Sequence, residues 1–254
     1  MPRMGADANS TMESQKIGKG VQAFQFSGVR VENLGATEYT LVTIAVDTTG
    51  SVAGFVDDLK RALTTAIESC QKSPRSMNLL LRVILFNSSL PKGIEEIHGF
   101  KPLSEIDVNS YPDLVPGGLT PLHDAMFSAV GATNAYAKKL MEQEFSVNGI
   151  VFVITDGGDN TSGSTPNMIR AEMERGLTGE EIESLVGVLI GINVASYANV
   201  LAKLAAETKM SFIDVGAATK GKLAKLAQFV SQSVSSQSQA LGTGGPSQNI
   251  AATI

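Results

Sequence analysis

The 254-residue chain has no tryptophan, a single cysteine and only two histidines. Cys70 alone excludes an internal disulfide and a thiolate metal cluster. It ends a helical apolar pattern and reads as a small buried side chain. Of the two histidines, His123 falls near motifs described below but reads as a solvated or capping side chain, and His98 carries no motif. Lys and Arg are scattered and the net charge is −5, which excludes the basic footprint of a nucleic-acid binder. No apolar run reaches membrane-spanning length. Residues 1–15 have no apolar segment of the kind a signal peptide needs, so the expected location is the cytoplasm or an assembly built there. Neither G-x-x-x-x-G-K-[ST] nor a strand-final G-x-G-x-x-G is present, which removes an intrinsic ATPase and a dinucleotide enzyme. The four Tyr and ten Phe follow the core pattern and build no stacking platform.

What the chain does have is apolar content of 43%, enough to bury a full core. Residues 41–46, 79–86, 150–155, 185–192 and 211–215 read as buried strands, the second broken only by Arg82. Between and after them, helical spacing recurs over 52–67, 122–145, 197–208 and 220–234, with shorter helical pieces across 166–183. Residues 94–100 alternate more weakly and suit an antiparallel edge strand. The pattern predicts a doubly wound α/β fold: a mostly parallel sheet with one antiparallel edge strand and helices on both faces. Residues 1–38 read as a polar arm, mobile over 1–20, plus a short strand or hairpin at 23–31; 39–235 as the sheet domain; and 236–254 as a flexible Ser/Gln/Gly-rich tail.

Three segments carry chemistry. The strand at 41–46 runs into Asp47-Thr48-Thr49-Gly50-Ser51, putting a carboxylate and two hydroxyls where ligands bind in open α/β sheets. Ser, Thr and Asp are also ordinary helix N-caps. Gly117-Gly118-Leu119-Thr120-Pro121 is a glycine turn ahead of a helix. Ile150 to Asp156-Gly157-Gly158 is a second buried strand ending in a carboxylate. In this order the three segments resemble a von Willebrand factor type A domain, over about residues 39–235. The resemblance implies a metal-ion-dependent adhesion site made by Asp47, Thr49, Ser51, Thr120 and Asp156. The family's commoner first hydroxyl is serine, and Thr49 keeps an oxygen there. Hard oxygen donors suit Mg2+, with Mn2+ or Ca2+ as alternatives. Asp124 and Asp159 are candidates for supporting the ligands, although an acid in a first helical turn and an Asp in a turn each have ordinary reasons to be there.

The resemblance implies a non-enzymatic module that engages an exposed Asp or Glu of a protein partner through the bound metal. Intracellular relatives of this type serve as adaptors for separate AAA+ ATPases or as pieces of larger assemblies. The alternative is a structural subunit of a phage particle or secretion apparatus, docked on neighbouring subunits through the arm and tail. A Mg2+-dependent hydrolase using Asp47 is disfavoured, because the motifs supply no positioned base, Lys or Arg.

Overall fold

The computed structural model describes residues 11–20, 23–178 and 181–244. Its strands are β1 (Met12–Ile17), β2 (Phe24–Val29), β3 (Glu38–Asp47), β4 (Leu79–Phe86), β5 (Ile94–Pro102), β6 (Ser146–Thr155), β7 (Ser184–Ile192) and β8 (Ser211–Gly216). Its helices are α1 (Val56–Gln71), α2 (Leu122–Met141), α3 (Pro166–Thr178), α4 (Ala198–Glu207) and α5 (Lys220–Gly242). The strands form one sheet in the order β1-β2-β5-β4-β3-β6-β7-β8. The run β4-β3-β6-β7-β8 is parallel, and β5 is antiparallel to β4. The expected α/β fold, with a mixed sheet and helices on both faces, is what the structure has.

Two-sided burial explains the continuous apolar runs. Along β3, Leu41 and Ala45 join the core under α2, α3 and α4, while Val42, Ile44 and Val46 join the core under α1 and α5. Asp47 therefore falls on the α2 side of the pleat, in line with Thr43, whose hydroxyl meets that of Thr133 on α2 at 2.9 Å. The parallel strands place their carboxyl ends, and with them Asp47 and Thr155, at one edge of the sheet.

Two expectations need correction. The hairpin β1–β2 adds a further edge outside the antiparallel strand β5, with β2 parallel to β5 at Gly28 and Phe100. Part of the segment expected to be mobile is thus a strand, β1, while residues 1–10 lie outside the described residues. The hairpin is held by contacts that sequence spacing does not reveal. Tyr136 stacks on Phe100, with ring centroids 5.0 Å apart, and its hydroxyl donates to the Val29 carbonyl at 2.5 Å. The Arg82 guanidinium, fully buried on β4, donates to Glu96 at 2.6 Å, and Glu96 accepts from the Ser27 N–H and hydroxyl. A side chain at Gly99 would meet the Ser27 carbonyl 2.0 Å away, so only glycine lets β2 approach β5 this closely.

The second correction concerns the C-terminal end. Helix α5 does not stop near 234 but runs to Gly242, burying Gln237, Ser238, Ala240 and Leu241. The Gln237 carbonyl accepts from the Asn148 amide at 2.9 Å, tying the helix to β6. Residues 245–254 of the expected tail lie outside the described residues. Truncation after 234 removes Leu241 and the acceptor of Asn148, and urea melts should show a loss of at least about 3 kcal/mol.

His98 gives the fold a pH dependence. Its Nδ1–H donates to the Gly99 carbonyl at 2.9 Å, leaving Nε2 to accept from the Tyr111 hydroxyl at 2.5 Å. Burial, above all, pushes its pKa down from 6.5 to about 4. A depressed histidine supplies stability that is complete above 6.5 and is lost as pH falls toward 4. The loss should approach about 3 kcal/mol, and His98→Gln should remove that part of the pH profile in denaturant melts at pH 7.5 and 4.5.

Candidate metal centre

The end of β3 leaves Asp47 with no solvent exposure. One carboxylate oxygen accepts from the Thr49 N–H at 2.8 Å, the other from the Thr155 hydroxyl at 2.7 Å. Thr155, the last residue of β6, also accepts from the Gly157 N–H at 3.2 Å, so it links Asp47 to the turn that follows Asp156. Burial is the main reason the Asp47 pKa rises from 3.8 to about 6; the Thr155 and Thr49 hydrogen bonds oppose the rise and Asp156 adds to it.

From Asp47 a chain of oxygens runs toward solvent. The Thr49 hydroxyl lies 3.0 Å from that of Ser51, and Ser51 donates to an Asp156 oxygen at 2.8 Å. Thr49 is buried, Ser51 exposed and Asp156 half-buried. Burial, chiefly, also raises the Asp156 pKa. Thr120, buried, arrives on a separate loop: its N–H donates to the Asn160 side chain at 2.7 Å and its carbonyl accepts from the Asn160 N–H at 3.1 Å. That loop rests on the first one, since the Gly117 N–H donates to the Thr48 carbonyl at 3.0 Å. Gly118 has φ +67°, and a side chain there would come within 2.6 Å of the Ser88 hydroxyl oxygen.

Asp124 and Asp159 have other occupations. Asp124, in the first turn of α2, accepts from the Ser164 N–H at 2.8 Å and the Gly163 N–H at 3.0 Å. Asp159 accepts from the His123 N–H at 3.1 Å and from the Ser162 hydroxyl. The two carboxylates clamp the 159–164 loop to α2, and through Asn160 that loop holds Thr120. His123 faces Asp159, with Nδ1 3.6 Å from its carboxylate.

Three bracing residues escaped the sequence reading. Thr155 orients Asp47. Asn87, just past β4, donates to the Thr48 hydroxyl at 2.8 Å and to its carbonyl at 3.1 Å. Asn160 fixes Thr120. Thr155 had a legible signal, a hydroxyl directly before a strand-final Asp; Asn87 and Asn160 look like ordinary loop residues. Among the described residues no three His, Cys, Asp or Glu side chains gather as a metal cluster. The convergence at this end consists of two carboxylates, Asp47 and Asp156, with hydroxyls between them.

The raised pKa of Asp47 has a sign that can be tested in chelator. Stability from a raised carboxylic acid is complete below 3.8 and is lost as pH rises through about 6. Asp47→Asn should therefore be more stable than wild type at pH 7.5 by up to about 3 kcal/mol, and the gain should vanish at pH 4. The neutral amide must keep the Thr155 and Thr49 contacts for the full effect, so Thr155→Val in the same background should erase part of it.

No family profile matches the sequence, and neither does any curated protein. Solved structures do match in fold. The pilus adhesin SpaC from Lactobacillus rhamnosus GG superposes with a TM-score of 0.60 at 11% identity, over 92% of this chain and 36% of its own. The PilB minor pilin from Streptococcus sanguinis gives 0.58 at 15% identity, over 87% of this chain and 66% of its own. A von Willebrand factor type A protein from Catenulispora acidiphila gives 0.54 at 15% identity, over 89% and 49%. The chain thus spans about two thirds of the pilin and about a third of the adhesin. None of the three is named as an enzyme. The cytoplasmic placement expected from the sequence is corrected by these likenesses, since the adhesin and the pilin are pilus proteins and not cytoplasmic components. At this level of identity the likeness concerns architecture, and the architecture is von Willebrand factor type A-like.

Proposed function

We propose that the chain is a non-catalytic adhesive or structural subunit that contacts a neighbouring protein through a divalent cation at the carboxyl end of its sheet. The observation that carries this reading is the spacing of the oxygens between Asp47 and Asp156. An octahedral Mg2+ with oxygens at 2.0–2.1 Å needs adjacent ligands about 3 Å apart. The Thr49 and Ser51 hydroxyl oxygens are 3.0 Å apart, and Ser51 and Asp156 are 2.8 Å apart. Thr49, Ser51 and Thr120 would offer neutral oxygens, while Asp47 and Asp156 supply charge directly or through hydrogen bonds and water. A bound dication supplies the positive charge that a partner's Asp or Glu answers. Zinc is less suited to this hard, sulfur-free set, and Mn2+ fits as Mg2+ does.

The assembly part of the reading draws support from the pilin and adhesin folds, and among the described residues no base is positioned on Asp47: the His123 ring faces Asp159 instead, 3.6 Å from its carboxylate. Among the described residues no helix is long and apolar enough to cross a membrane.

Millimolar Mg2+ or Mn2+ should raise the melting temperature and Asp47→Ala should abolish the rise. A ligand bound only by the native state adds about 2.7 kcal/mol at a hundredfold excess over its Kd. Ser51→Ala should weaken the response with little change in the chelator melt, because its side chain is exposed. Identical melts of wild type with Mg2+ and with chelator would remove the metal from the proposal.

A further inference from the structure

We propose that the metal-bearing face selects partners whose acidic residue is flanked by apolar side chains; this rests on the metal reading above. Single exposed apolar residues are common on protein surfaces, but their grouping is informative. Five large hydrophobic side chains are strongly exposed among the described residues: Met77, Val115, Leu119, Tyr197 and Val200. Met77 precedes β4 and sits at the far end of the sheet. The other four, 75%, 53%, 47% and 57% exposed in chain order, lie on segments at the carboxyl end of the sheet.

Their placement brackets the candidate metal centre. Leu119 immediately precedes Thr120. Its backbone is fixed in both directions by Ser88, whose hydroxyl accepts from the Leu119 N–H at 2.7 Å and whose N–H donates to the Leu119 carbonyl at 2.9 Å. The exposed side chain is therefore carried on a pinned loop. Val115 precedes it on the same segment. On the opposite side, Tyr197 lies over the glycine turn that follows Asp156: a side chain at Gly158 would meet the Tyr197 ring at 3.2 Å. Val200 follows in the first turn of α4.

The occupant follows from charge and chemistry together. The centre of the face would take one anionic oxygen ligand, and its borders offer apolar side chains with no corresponding cover among the described residues. A partner segment presenting one carboxylate between Leu-, Phe- or Val-like residues satisfies both. A carboxylate set among polar or charged residues satisfies the centre alone and leaves Leu119 and Tyr197 in water. Of these border residues Tyr197 is the type most often found as an energetic anchor of interfaces, with Leu119 adding apolar cover beside it.

The test is selection of short random peptides displayed on phage against the immobilised full-length protein in Mg2+, followed by affinity measurements with the enriched peptides. The enriched sequences should contain Asp or Glu with apolar residues on at least one side, and binding should be lost in chelator. The Leu119→Ser/Tyr197→Ser variant should keep the Mg2+-dependent rise in melting temperature yet bind these peptides at least about tenfold more weakly. Met77→Ser, at the far end, should bind them as wild type does. If Mg2+ raises the melting temperature but no peptide is enriched, flanking positions show no apolar preference, or the double variant binds undiminished, the inference falls and the metal reading stands. If Mg2+ leaves the melting temperature of wild type unmoved, or apolar peptides bind equally in chelator, the metal reading falls and takes the inference with it.

Discussion

A carboxylate without solvent contact, at the junction of two strands buried on both faces, is the constraint around which the functional end of this protein is arranged. Removing Asp47 from water disfavours its charge, and the protein answers with two donors, the Thr49 N–H and the Thr155 hydroxyl. Those donors come from different places, one from the loop after β3 and one from the end of β6. Satisfying a single side chain therefore fixes the relative position of two loops. The rest follows outward: Thr155 holds the Gly157 turn, Asn87 holds Thr48, Thr48 receives Gly117, and Asn160 receives Thr120. The Thr49 and Ser51 hydroxyls are thereby held 3.0 Å apart, with Ser51 2.8 Å from Asp156, by backbone contacts that neither makes alone.

The opposite problem, a buried cation, arises on the same side of the sheet. Arg82 is fully buried in the middle of β4, and burial works against its charge while Glu96 supports it. Such a pair gains less from mutual attraction than desolvation takes away unless further hydrogen bonds complete it. Ser27 supports the carboxylate by donating twice to Glu96, while Arg82 Nη1 has no hydrogen-bond partner among the described residues. Since Ser27 belongs to β2, the pair binds the hairpin in place; the hairpin in turn packs on α2, where Ile17 Cδ1 would lie 3.0 Å from a side chain at Gly131. Helix α2 is consequently enclosed by the sheet, by α3 and by the hairpin, which accounts for its run of Ala and Gly on faces that an ordinary surface helix would present to water.

How much of this was legible depends on range. The strands β3, β4 and β6 are visible as apolar runs because burial on two faces suppresses alternation, and their order with intervening helices determines the doubly wound class. The site loops are visible because hydroxyls and carboxylates cluster where strands end. What the sequence conceals are contacts over long separations with no local signature. Nothing near Ser27 announces Glu96, and nothing in the Ser/Gln-rich composition around 237 announces that its backbone serves Asn148. Polar composition was read as solvation there, whereas the α5 face from Gln237 to Leu241 is buried by neighbouring elements. The cytoplasmic expectation failed for a different reason: it rested on what residues 1–15 lack.

The topology also assigns the two ends of the molecule different roles. β3 and β6 deliver Asp47 and Thr155 to one end. β1 begins at the other, because Met12 pairs with Val29 and β2 runs parallel to β5, whose Phe100 and Pro102 lie at the amino end of β4. Helix α5 also finishes there, with Ser238 against Arg75, which reaches Glu38 at the start of β3. Both described termini therefore lie at the face opposite the candidate metal centre. An attachment made at that face would leave Asp47, Ser51 and Asp156 clear, so the candidate metal centre and the described termini do not compete for surface. A site at the same end as the termini would have to share its surface with them, and the apolar border of Leu119 and Tyr197 would be the first area covered.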